Sequence, residues 1–233
     1  MNRPYVFINV AASADGKTDT FERRGAAISS AADKVRVDGL RAASDAVMVG
    51  GKTLLAEDPK LTVKSAQLRA ERLAKGLPEN PMKVGVVSRA ALKADGDFIG
   101  TGSARRVVFT TEQTTAAQEQ FLLTLGVEVY VLGEKQVDLP RALETLKDLG
   151  VERLMVEGGG TLNFELLRLG LVDELLVYVA PLVFGGETAS TMAAGAGLAR
   201  SAAIPLRLAD VSVADDAGGV LLRYLCPTSS LRE

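Results

Sequence analysis

Apolar residues gather into short runs rich in β-branched and aromatic side chains, and these runs alternate with segments of helical period almost from end to end of the chain. Strands are expected at 5–10 (YVFINV), 45–50 (DAVMVG), 83–88 (KVGVVS), 106–111 (RVVFTT), 127–132 (VEVYVL) and 152–157 (ERLMVE), then at 173–183, 206–213 and 219–225. Most are continuously apolar rather than alternating, which suits strands covered on both faces. Helical stretches lie between them at 65–75, 114–125, 139–149 and 161–169, and Ser30-Ala31-Ala32-Asp33 has the form of a capping box opening a helix through about Ala43. This alternation predicts an α/β fold with a mainly parallel sheet and helices on both faces. The tail breaks the pattern. Its last three strands follow one another directly, and Asp215-Asp216-Ala217-Gly218-Gly219 reads as the turn of an antiparallel hairpin. No repeat interrupts the chain, and the Gly- and Pro-containing segment 76–82 reads as a helix-to-strand loop, so 1–233 is expected to be a single domain.

Composition narrows the chemistry. The 233 residues are 47% hydrophobic and 24% charged, enough apolar material for a sizeable core. The net charge of −2, without long like-charge runs, gives no reason to expect a nucleic acid or an anionic membrane as partner. No stretch reaches the roughly 18 apolar residues of a bilayer span, and MNRPYVFINVA enters a strand directly, so no signal peptide is expected. Histidine is absent and Cys226 is the one cysteine. Ser-His-Asp catalysis, His-Cys zinc sites and cysteine-held iron–sulfur clusters are therefore excluded, and no metal is expected. Cys226, in VLLRYLC, is expected to pack in the core, and a reducing, cytoplasmic compartment suits a lone thiol. Hard chemistry must come from carboxylates, lysines, hydroxyls or a bound cofactor.

The sharpest local signal is Glu157-Gly158-Gly159-Gly160-Thr161-Leu162-Asn163, set between an apolar strand and an amphipathic helix. Glycines let the backbone approach a ligand, and the free N–H groups and dipole of the next helix favour an anion. Thr161 and Asn163 can add polar contacts; a plain strand–helix turn is the alternative. A second pair, Gly185-Gly186, closes VAPLVFGG and either flanks the same crevice or simply turns the chain. The loop after DAVMVG carries Thr53, Glu57, Asp58, Lys60 and Lys64, a set suited to a phosphorylated ligand or to surface ion pairs. Arg41, at the end of the first helix, either complements the helix dipole or binds phosphate. Ser88 and Arg89, with Lys93 nearby, end a strand where a 2′-phosphate could sit. Asn9 interrupts an apolar strand and must either find a buried partner or face a ligand.

In order and spacing, NVAASADGKT, RAASDAVMVGGKTLLAEDPKLTV, MVEGGGTLNFELL and DELLVYVAPLVFGG resemble the riboflavin-specific reductase family over nearly the whole chain. The resemblance implies a dihydrofolate reductase-like fold and NADPH-dependent reduction of a ribosylaminopyrimidine 5′-phosphate to its ribitylamino product, with NADH as the other cofactor to consider. It implies dinucleotide contacts at Ala27, Thr53, Glu57, Ser88 and 158–165, including Gly158, Gly159, Gly160, Thr161, Leu162 and Asn163. It also implies substrate contacts at Arg41, Leu61, Lys64 and Glu157, to which the polar Asn9 and Asp58 are added. Glu57 stands where aspartate is usual, and Lys64 where bacterial members often have arginine, which replaces a bidentate phosphate contact with a point charge.

The chain also lacks the H-x-E and P-C-x-x-C deaminase signature that precedes the reductase in many bacterial relatives. A stand-alone reductase resembles the archaeal and fungal arrangement, which favours 2,5-diamino-6-ribosylamino-4(3H)-pyrimidinone 5′-phosphate over the deaminated uracil as substrate. The expected mechanism is direct hydride delivery to C1 of the opened ribose, with Glu157 orienting the sugar or relaying a proton. A pterin or dihydrofolate reductase is the rival within the fold, and an NADPH-binding sensor module is the rival outside enzymology. The resemblance further implies a homodimer, with the apolar run 174–184 as its seam.

Overall fold

The computed structural model describes residues 2–227. Its strands are β1 (Tyr5–Ser13), β2 (Ala46–Gly50), β3 (Met82–Val86), β4 (Arg106–Thr110), β5 (Glu128–Val131), β6 (Arg153–Val156), β7 (Glu174–Ala180), β8 (Arg207–Val213) and β9 (Val220–Leu225). Its helices are α1 (Ala31–Ala42), α2 (Ala66–Ala74), α3 (Asp97–Gly100), α4 (Ala116–Thr124), α5 (Leu139–Asp148) and α6 (Gly160–Arg168), with a π-helical turn at Thr53–Glu57 and a 3-10 turn at Arg200–Ala202. Every expected strand and long helix is present. The π-helical turn, the 3-10 turn and the four-residue α3 are additions that apolar periodicity is too coarse to register.

The chain forms two compact units. The first is built from Asp38–Met155 with the extreme N-terminus, and the second from Tyr5–Val37 with the chain from Val156 onward. In the first unit the strands run in the order β5-β4-β3-β2-β6, with β2, β3, β4 and β5 pairing in parallel. Parallel strands need helical crossovers, and the strand–helix alternation supplies them. All five residues of both β2 and β3 are buried, as continuous apolar runs require. In the second unit the order is β1-β7-β9-β8, parallel between β1 and β7 and antiparallel from β7 onward. The fold is thus α/β, mostly parallel, with the expected antiparallel C-terminal strands.

Local details depart from the sequence pattern for identifiable reasons. Ser30 caps α1, its hydroxyl accepting from Asp33 N at 3.1 Å, but the capping box is only half made: Arg36 holds Asp33 Oδ1, and Oδ2 has no hydrogen-bond partner among the described residues. The strand expected at 173–183 stops at Ala180. Beyond it the backbone N–H groups of Phe184 and Gly185 turn to the Asp15 carboxylate, at 3.2 and 2.7 Å. Cys226 is half-buried rather than sealed in the core. Burial, then Asp173 and Glu174, push its thiol up to about 11, which leaves it unreactive.

Candidate functional site

In the second unit the chain from Val156 onward enters the glycine turn. Gly158 has φ 105°, a conformation in which a side chain is strained, and the peptide between Gly158 and Gly159 is cis. Gly159 is the N-cap of α6 and offers no side chain to its first N–H groups. The opening of the helix therefore presents backbone donors and the positive end of its dipole. Thr161 is exposed, whereas Leu162 and Asn163 are buried. Asn163 faces inward: its amide donates to the Met192 carbonyl at 2.9 Å, and its Oδ1 has no partner among the described residues. The Gly160 carbonyl accepts from Ala194 N at 3.0 Å, and a Cβ on Gly160 would run into the Thr191 carbonyl oxygen. Gly160 is thus needed for close packing of the 191–194 segment against the turn.

Two loops of this unit are stitched together. Ser13 Oγ donates to Asp15 at 2.6 Å, and the Asp15 carboxylate receives Phe184 N and Gly185 N. The Ser13 hydroxyl, ahead of the two backbone N–H groups, lowers the Asp15 carboxyl to about 2, against the opposing effect of desolvation. Asp19 accepts from Gly25 N at 3.0 Å and Ala26 N at 2.9 Å, placing the exposed Ala27 just beyond. Arg23 donates to the Thr188 carbonyl. Asn9 has found a protein partner: its Oδ1 accepts from Arg36 at 2.8 Å, and Arg36 also holds Asp33. Glu157 is half-buried at the mouth of the glycine turn.

In the first unit the π-helical turn follows β2 and seats Leu54 in the core, with Thr53 half-buried and Glu57 exposed. Asp58 and Leu61 both have positive φ, 46° and 50°. The Asp58 carboxylate accepts from Asp97 N at 2.7 Å and Phe98 N at 2.9 Å, the first N–H groups of α3. Leu61 is buried, with 1% of its surface exposed. The following loop is pinned by Asp38, which accepts from Lys64 N and Ser65 N, by Asn80, which accepts from Val63 N, and by Arg41, which donates to the Thr62 carbonyl. Lys64 remains exposed above it. Ser88 lies exposed beyond β3, its carbonyl fixed by the hydroxyls of Thr110 and Thr111.

Thr53, Glu57, Asp58, Leu61, Lys64, Arg41 and Ser88 thus belong to the first unit, and Asn9, Ala27, Glu157 and the glycine turn to the second. The anchoring carboxylates Asp15, Asp19 and Asp38 escaped the sequence reading. Nothing local marks Asp15, Asp19 or Asp38 as holding distant amides.

Residues 4–222 match the family described as the RibD C-terminal domain. The chain belongs to that family. A relative from Archaeoglobus fulgidus, named 2,5-diamino-6-ribosylamino-4(3H)-pyrimidinone 5′-phosphate reductase, is 45% identical over 194 residues, covering 83% of this chain and 87% of its own length. A relative of the same name from Methanothermobacter thermautotrophicus is 39% identical over 196 residues, covering 84% of this chain and 86% of its own. The solved structure of Acinetobacter baumannii RibD superposes with a TM-score of 0.79 at 27% identity, covering 97% of this chain and 59% of that one. This member of the RibD C-terminal domain family is an oxidoreductase, and the expected fold and family both stand.

Proposed function

We propose that the chain reduces the ribose of 2,5-diamino-6-ribosylamino-4(3H)-pyrimidinone 5′-phosphate to the ribitylamino product, with NADPH as reductant. The observation that carries the reading is the glycine turn, whose backbone opens a helix that no side chain caps. Such a turn fits the pyrophosphate of a dinucleotide, because it offers amide donors, a favourable dipole and no side chain in the way. The amination state of the substrate follows the name shared by the two archaeal relatives.

When bound, the dinucleotide would supply a hydride for C1 of the opened ribose. The protein's part is alignment and exclusion of competing geometry, which a chain without histidine can provide. Gly158, Gly159 and Gly160, with Thr161 on the exposed side, take the phosphates. The buried Leu162 and Asn163 complete the turn, with the Asn163 amide holding the Met192 carbonyl. Ala27, Thr53, Glu57 and Ser88 are the further dinucleotide contacts in this reading, and Arg41, Leu61, Lys64 and Glu157 the substrate contacts. Glu157 orients the sugar or passes the proton that accompanies the hydride. The single family match across 4–222 supports treating both units as one functional domain. No described helix is long and apolar enough to cross a membrane, and we place the enzyme in the cytoplasm.

A homodimer is part of the proposal, and its seam lies on the C-terminal strands rather than along 174–184. Five of the seven β7 residues are buried, whereas every residue of β8 is exposed. The register shift between Leu208 and Asp210 puts Leu208, Val211 and Val213 opposite Tyr224, Leu222 and Val220, on one face. An exposed apolar edge of this kind calls for a covering partner.

The test is incubation with the diaminopyrimidinone phosphate, its deaminated uracil counterpart and dihydrofolate in parallel, following loss of reduced-nicotinamide absorbance with NADPH and NADH. Turnover is expected with the first substrate and NADPH. Preference for the uracil would move the enzyme after deamination, and tight NADPH binding without turnover would make it a sensor. Gly158→Val should abolish NADPH binding while the protein still melts cooperatively; retained affinity would discredit the cradle.

A further inference from the structure

Residues 25–30 belong to no helix or strand, yet they are fastened throughout. Asp19 holds the N–H groups of Gly25 and Ala26. Ser30 caps α1 through Asp33 N. Between them Ile28 is buried against Tyr178 and Ala180, with Ala26, Ala214 and Leu221 packed around the same cluster. Locking Ile28 inward leaves its neighbour Ala27 exposed.

The floor beneath Ile28 is itself held from the far end of the chain. Tyr178, in β7, is 1% exposed, and its hydroxyl donates to Asp215 Oδ2 at 2.9 Å. Asp215 opens the turn between β8 and β9, where its Oδ1 accepts from Ala217 N and Gly219 N, both at 3.1 Å. Gly219 packs so closely on this ring that a Cβ there would run into the Tyr178 hydroxyl. The Ser30 hydroxyl, then Gly219 N–H and the Tyr178 hydroxyl, hold the Asp215 carboxyl below its ordinary range, so the same carboxylate reaches the start of α1.

We propose that the β8–β9 turn is a positioning element for the dinucleotide, with Asp215 and Tyr178 as positioning residues that act through Ile28 and Ser30 on the Ala27 backbone. The proposal rests on the reading above in which Ala27 contacts the cofactor. Neither residue touches the ligand; they fix the segment that does. A hairpin that served only its own stability would need neither the buried tyrosine hydroxyl nor a tie to α1.

The experiment compares Tyr178→Phe, which removes only the hydroxyl, with Asp215→Ala and Asp215→Asn, the last keeping an oxygen for the turn amides. NADPH dissociation constants are measured by fluorescence, and KM and kcat with the diaminopyrimidinone phosphate. Kd and KM for NADPH should rise about two- to tenfold in Tyr178→Phe and Asp215→Ala, the size of one lost hydrogen bond, with kcat at saturating cofactor nearly unchanged. Asp215→Asn should recover most of the loss, and Asp216→Ala, at the neighbouring exposed carboxylate, should behave as wild type. A fall in Tm with NADPH affinity intact would overturn the proposal. Should Asp215→Ala fail to fold, Tyr178→Phe decides alone. Ala27→Asp separates the two readings. If it weakens NADPH binding while the Tyr178 and Asp215 variants do not, the positioning role alone falls. If it leaves affinity untouched, the contact at Ala27 is wrong and the proposal falls with it.

Discussion

Lys83 is the residue whose environment departs furthest from its sequence context. It sits in β3 with no exposed surface, its ammonium donating to the carbonyls of Phe98 at 3.0 Å and Thr101 at 2.6 Å and lying 5.9 Å from the centre of the Phe98 ring. Burial, and secondarily the Arg106 charge, lower it from 10.5 to about 8, with Asp97 and Asp58 opposing. A base depressed by folding binds its proton more tightly in the unfolded chain. Its penalty is full below about pH 8, shrinks as pH rises, and is gone above 10.5. Wild-type stability should therefore gain on Lys83→Met by up to about 1.4 kcal/mol per pH unit across that window. Urea unfolding of both proteins at pH 7.5 and 10 checks it; a constant difference would show that the ammonium is not strained by burial. Sequence gave no hint of this, because a lysine in an apolar strand reads as a surface residue until its partners are known.

Among elements, α3 shows how a short helix is made by distant groups. Four residues cannot stabilise themselves, and the N-cap Gly96 has no side chain to offer. Asp58, 39 and 40 residues away in sequence, supplies the acceptor for the first two N–H groups. Asp58→Ala should cost about 1 kcal/mol of stability, and Asp58→Asn less, as for other lost helix caps. Chemical denaturation reads the loss, and a KM for the phosphorylated substrate measured alongside shows whether Asp58 also binds it. An unchanged midpoint with a raised KM would make Asp58 a ligand and not a cap. The glycine turn behaves oppositely. Its conformation is set locally, by residues without side chains, and so it was visible as a candidate cradle in the bare sequence.

For the whole molecule, the proposed dimer puts its seam on the exposed face of the C-terminal strands. Val211 is 56% exposed and Val213 77%, on the apolar face aligned by the β8 bulge. Val211→Asp should convert a dimer to monomer in sedimentation velocity with little change in the monomer's secondary structure; a variant that stays dimeric would move the seam elsewhere. The sequence by itself determined the order and kind of the elements, since hydrophobic period and turn residues act within a few positions of each other. It also determined the glycine turn and the antiparallel tail, and with them the family. Tertiary structure alone decided which polar residues serve the scaffold. Asn9 faces Arg36, Asn163 holds the Met192 carbonyl, and Asp58 caps α3. Strand order is of the same kind, for β1 lies beside β7 and β2 beside β3 and β6. Each of these is a hydrogen bond between groups tens of residues apart, and no local pattern encodes which distant partner will arrive once the chain has closed.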